Sequence, residues 1–201
     1  MAQHELTLNV LRDTYVDADY PDTNYSSSTL LKLGGNNVRY ILLEFDYSLI
    51  PHRKRIRSAI LKLYQNQQGP DRLIGAWYAD KSFDINTVTD RIFFNSRLTR
   101  PAGEEVSAKD AGLKYLPCTN VVQYNISNNR NAIVLQYAEG GLYGPEITFN
   151  SKEATSNQPQ LVVIYEDVPP DTPTPISPIG EFKDPKSVIR FSWQYNSPVG
   201  G

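Results

Sequence analysis

Short apolar runs with a period of two, broken repeatedly by strong turn chemistry, leave this chain few folds to choose from. Runs at 6–10, 29–33, 38–45, 58–64, 73–79, 92–94, 133–137, 146–149 and 161–165 read as strands. Within them Ile41, Leu43 and Phe45, or Ala59, Leu61 and Leu63, share one face, and the residues between them face the other way. The separators include Gly34-Gly35-Asn36-Asn37, Gln68-Gly69-Pro70-Asp71, Ser127-Asn128-Asn129 and Gly140-Gly141, all residues that accept turn dihedrals or bond their own backbone. No stretch carries a long, capped helical period; 119–124 reads as one turn or a short strand. Many short strands with regular turns predict an all-β chain, an antiparallel β-sandwich of jelly-roll-like winding.

The pattern changes after Tyr165. Residues 166–175 contain four prolines, which hold φ and restrict their neighbours, so the segment reads as stiff and extended. The chain therefore divides into a sandwich at 1–166, a Pro-rich linker at 167–176 and the first strand or strands of a second, incomplete β domain at 177–201. In that last part 187–195 alternates like a strand, with Ile189, Phe191 and Trp193 on one side. So short a piece buries too little surface to stand alone, and its remainder is expected elsewhere in the gene or from a partner.

Composition removes several function classes. A hydrophobic fraction of 40% with 13 Tyr and 7 Phe belongs to a folded domain rather than a disordered one. A net charge of -2 provides no basic field, so no nucleic-acid partner is expected. The one basic cluster, His52-Arg53-Lys54-Arg55, reads as a solvated turn. A single cysteine excludes an intrachain disulfide, and Cys118 reads as a buried small hydrophobe with no histidine placed to activate it. No window approaches the roughly 18 apolar residues of a membrane span. The start lacks a basic region followed by an apolar stretch, which predicts folding in the cytoplasm without a signal peptide.

Three constellations are candidates for chemistry. Asp13, Asp17, Asp19, Asp22 and Asn24 form the densest set of oxygen ligands, the kind a structural Ca²⁺ takes, and Glu153 joins if the fold brings it near. The spacing departs from an EF-hand, and the alternative is a loop of solvated turn acids. Trp77, Tyr78, Tyr137 and Tyr143 are candidate sugar-stacking rings, with core packing as the alternative for Trp77. Glu104 and Glu105 sit in what reads as a polar loop, where adjacent carboxylates are usually solvated rather than catalytic. No phosphate loop, His-Glu metal pair or Gly-x-Ser-x-Gly elbow occurs, so the chain is expected not to be an enzyme.

The segments DTYVDADYPDTNYSSSTLLKLGG, RYILLEFDYSLIP, IRSAILKLY and FNSKEATSNQPQLVVIY resemble the DNRLRE-type β-sandwich modules, relatives of carbohydrate-binding modules. The end signature is met by Phe149, Ser151, Glu153, Pro159, Leu161 and Tyr165. Where relatives often carry a Val-Thr-Trp strand, this chain has Thr87-Val88-Thr89-Asp90. The tail PTPISPIGEFKDPKSVIRFSWQYNS resembles the first strands of fibronectin-like domains that follow such modules in tail-associated proteins of phages and prophages of Gram-positive bacteria. The resemblance implies a non-catalytic module of a phage tail, baseplate or tail-like particle that contacts other subunits and presents a glycan-binding surface to the host cell. Two other readings share the fold: a purely structural virion subunit without a glycan ligand, and a carbohydrate-binding module of a secreted polysaccharide-active protein.

Overall fold

The computed structural model describes residues 2–35, 38–51, 54–138, 144–168, 174–177 and 192–194. Twelve strands form two antiparallel sheets of six. The first sheet holds β1 (Gln3–Asn9), β3 (Leu30–Gly35), β5 (Lys54–Gln65), β9 (Gly112–Pro117), β11 (Gly144–Asn150) and β12 (Gln160–Asp167). The second holds β2 (Arg12–Asp17), β4 (Arg39–Glu44), β6 (Leu73–Ala79), β7 (Leu98–Thr99), β8 (Glu105–Ser107) and β10 (Ala132–Tyr137). From β2 to β6 each strand lies in the other sheet from the one before it, so the chain winds round the sandwich as a jelly roll does.

The alternation seen in the sequence sets the inside. Leu31, Leu61, Leu116, Phe149 and Leu161 from the first sheet meet Ile41, Leu43, Ile74, Ile133 and Leu135 from the second, all essentially without solvent contact. A helix α2 (Thr119–Ser127) packs Val121 and Val122 into the same core. The second sheet is covered on its outer side as well: Val16, Leu42 and Val134 pack there against Phe83, Ile85, Val88 and Phe93 from the segment between β6 and β7. Apolar residues on both faces explain why β4 and β10 read as near-continuous apolar runs.

The structure corrects the strand expected at 92–94, which is instead the end of α1 (Asp90–Phe93) and its C-cap, Phe94. Thr89 enters it in an extended conformation, and Asp90 and Phe93 turn inward, leaving Ile92 and Phe94 exposed. The 119–124 segment belongs to the nine-residue α2, longer than either option its sequence suggested. Its own N-cap, Cys118, supplies no capping bond; the Asn120 N–H donates instead to Glu104 Oε1 at 2.5 Å. Glu104 is thus buried as a helix cap rather than solvated, and Glu105 pairs with Arg100.

At Gly34, with φ of +74°, a Cβ atom would lie 2.6 Å from the Pro145 carbonyl oxygen, so this position near the end of β3 admits glycine alone. Beyond the sandwich, β13 (Thr174–Ser177) pairs antiparallel with β14 (Ser192–Gln194). The strand β13 starts within the stretch expected to be linker; proline's fixed extended φ suits a two-stranded pairing as well as a spacer. The rest of the strand expected at 187–195 lies outside the described residues.

Candidate functional site

The acidic residues of 13–24 do not converge. Asp17 Oδ2 accepts from Arg39 Nε at 2.6 Å, and Arg39 also reaches Glu146 Oε2 at 2.5 Å and the Gly34 carbonyl at 3.2 Å. Asp19 lies 3.7 Å from the same guanidinium. Arg39 therefore ties β2, β3, β4 and β11 together at one end of the sandwich. Asp22 pairs through both oxygens with Arg91, and the Asn24 amide donates to the Ile85 and Val88 carbonyls, pinning the segment that covers the second sheet. Among the described residues no group of three or more His, Cys, Asp or Glu side chains is arranged to hold a metal ion.

Asp13 sits apart from the others. It is 1% exposed, its Oδ2 accepts the Lys152 N–H at 2.7 Å, and its Oδ1 has no hydrogen-bond partner. Burial raises its pKa to about 7, and the nearby Glu153 carboxylate adds to the rise, opposed by the Lys152 N–H and ammonium. The fold thus does bring Glu153 close to Asp13. The Lys152 ammonium lies there too, 3.0 Å from Glu153 Oε1.

Two of the four candidate sugar-stacking residues point into the sandwich. Tyr137 is 3% exposed, its hydroxyl donates to the Pro145 carbonyl at 2.6 Å, and the Arg72 guanidinium covers the ring at 4.3 Å. That corrects its expected role: no face of the ring is open to a ligand. Tyr78 stacks on Tyr124 of α2, with centroids 3.7 Å apart, and packs against the core. Trp77 lies on the outer side of the second sheet, half-buried against the covering cluster with Arg100 over its ring. Tyr143 lies outside the described residues.

An open cleft forms on the opposite side of the molecule, on the outer face of the first sheet. It measures about 540 Å³, and its floor comes from Leu30 at the start of β3, Tyr64 near the end of β5, Asn66 just beyond it, and Asn150 at the end of β11. The loop from β11 to β12 supplies the wall, with Glu153 and Asn157. Inward-facing Leu63 and Gln65 force Tyr64 outward by the strand's period of two.

The wall is held in shape before any ligand arrives. Gln158 Nε2 donates to the Lys152 carbonyl at 2.5 Å and to that of Ala154 at 3.0 Å, while Asn150 Nδ2 donates to the Ser156 carbonyl at 2.9 Å. The Ser151 N–H donates to the Thr29 carbonyl, and Asp13 anchors Lys152 from the other sheet. Asn157 takes a positive φ of 51°, which asparagine tolerates. The side-chain amides of Asn66 and Asn157 have no protein partner among the described residues. The cleft thus offers an aromatic face, free amides and a carboxylate on a rigid frame, the groups that stack on and hydrogen-bond to a polyol.

Sequence reasoning placed Glu153 beside a metal rather than in a cleft and missed Tyr64, Asn66, Asn150 and Asn157. Their signal was faint: Tyr64 and Asn150 are the outward partners of inward core residues, and only the folded sheet shows that they share a surface. Comparison with known proteins supplies an independent line. No curated protein matches the chain. A family description, carbohydrate-binding module family 96, matches residues 4–165, which is the sandwich from β1 to β12 almost entire. With well over half its length matched and the two-sheet fold in place, the chain belongs to carbohydrate-binding module family 96.

Proposed function

We propose that the chain is a non-catalytic binding module that takes glycan in the cleft on the outer face of the first sheet. The observation that carries this reading is the union of the Tyr64 ring with the unpaired Asn66 and Asn157 amides and the Glu153 carboxylate in one open depression of about 540 Å³. Family membership supports the ligand class. The resemblance to DNRLRE-type modules, with a fibronectin-like continuation, supports a place on a phage tail, baseplate or tail-like particle, where the module meets host-cell surface glycan and its neighbours are other particle subunits.

The test is binding of the full chain to a glycan array and to Gram-positive cells, with and without EDTA. Specific binding is expected, lost in Asn66→Ala, whose side chain makes no internal bond and whose loss leaves the fold intact. Because Asp17 and Asp19 face Arg39 and Asp22 pairs with Arg91, EDTA is expected to change neither binding nor melting temperature; a loss of either would restore structural calcium to that segment. Absence of binding by the folded, monodisperse chain refutes the glycan reading and favours a purely structural subunit.

A further inference from the structure

The cleft does not end at Tyr64. On the outer face of the first sheet Tyr64 stands opposite Leu113 of β9, and the next outward row sets Lys62 opposite Tyr115. That row continues across the sheet through Gln160 to Asn9, whose side chains are hydrogen-bonded to each other at 3.0 Å. Leu113 is 47% and Tyr115 54% exposed, while the lysine between them, Lys114, turns inward and donates to the Ser107 carbonyl at 2.8 Å. Over 113–115 the usual polarity of a strand is therefore inverted, a leucine and an aromatic ring out and an ammonium in, while Leu116 keeps to the core side.

We infer that this strip is a second part of the same binding surface, so that the module recognises the interior of an extended polysaccharide chain rather than a single terminal sugar. The inference rests on the glycan reading of the cleft. From Asn66 to Lys62 the strand direction covers about 13 Å at about 3.3 Å per residue, longer than one pyranose ring. Isolated ring faces spaced among amides and an ammonium suit successive sugars, whose faces are apolar and whose edges carry hydroxyls. A protein-docking patch would instead be a contiguous apolar surface with a polar rim. Strip and cleft are continuous through Tyr64, and among the described residues no loop stands between them.

The full chain is titrated calorimetrically with fragments of about two to about eight units from mixed-linkage β-glucan, xylan, polygalacturonate and alginate. Affinity for the polysaccharide that binds is expected to climb with length, and Tyr115→Ala to weaken the longest fragments about five- to tenfold while leaving the shortest unchanged. Asn66→Ala is expected to weaken every length. Affinity independent of length, or Tyr115→Ala indistinguishable from wild type throughout, overturns the extended surface while leaving the cleft in place. No binding to any of the four, together with a silent glycan array, sinks both; concentration-dependent self-association abolished by Tyr115→Ala would assign the strip to a second copy of the chain and overturn the inference.

Discussion

Replacing Asp13 by asparagine is expected to stabilise the protein at alkaline pH and to do little at acid pH. The carboxyl is almost wholly buried, one oxygen bonded to the Lys152 N–H and the other without a partner, and its pKa rises from 3.8 to about 7. Between those values the folded chain holds a proton that the unfolded chain has released. Stability therefore falls as pH climbs from about 4 to about 7, by at most about 4 kcal/mol at about 1.36 kcal/mol per pKa unit. Asparagine keeps an oxygen for Lys152 and carries no charge, but a neutral acceptor gives up about 1 kcal/mol of that bond. The net expectation is a gain of about 1–3 kcal/mol at pH 8 and about zero at pH 5. Urea unfolding of wild type and Asp13→Asn, followed by tryptophan fluorescence at several pH values, measures it, because the other titrating groups cancel in the difference. A difference that does not change with pH, or that favours wild type at pH 8, would refute the account of Asp13 as an under-compensated buried charge that anchors the cleft wall.

Two further expectations follow from the packing. Glu104→Ala removes the remote cap of α2 and takes the acceptor from the Asn120 N–H, a loss of about 1–2 kcal/mol measurable by urea unfolding; Glu104→Gln keeps the acceptor and is expected to lose less. An unchanged stability in Glu104→Ala would mean that water caps the helix instead. Cys118 is fully buried, its thiol pushed up by desolvation, so a thiol reagent is expected to leave the native chain untouched and to modify it in urea. Rapid modification of the native protein would show that the β9–α2 junction opens.

The fold was legible because burial in a sandwich is written into the period of two. Ile41, Leu43, Ala59, Leu61 and Leu63 alternate in the sequence and line the core in the structure. Where that code is disturbed, reading failed for a physical reason. The strand β2 is buried on both faces and dense in acids, so 13–17 looked like a ligand loop. In β9 Leu113 and Tyr115 face out while Lys114 between them turns in, the reverse of the usual signal, and only Leu116 follows it. The helix α2 takes its cap from Glu104, far away in the chain, and Ile92 and Phe94 are apolar without being buried.

The cleft was the least legible part. Sequence alone determined the all-β class and the alternating residues of the central core, because each depends on neighbours within one strand or turn. Which aromatic rings face outward together is different, since Tyr64 and Tyr115 meet only through the β5–β9 register, and Asn66, Asn150 and Glu153 only through the crossing of β5, β11 and the loop after it. Likewise only the fold shows that Asp13 meets the Lys152 N–H, 139 residues further along the chain. Local pattern decides what a residue prefers to be; long-range pairing decides whom it meets, and a binding surface consists of such meetings.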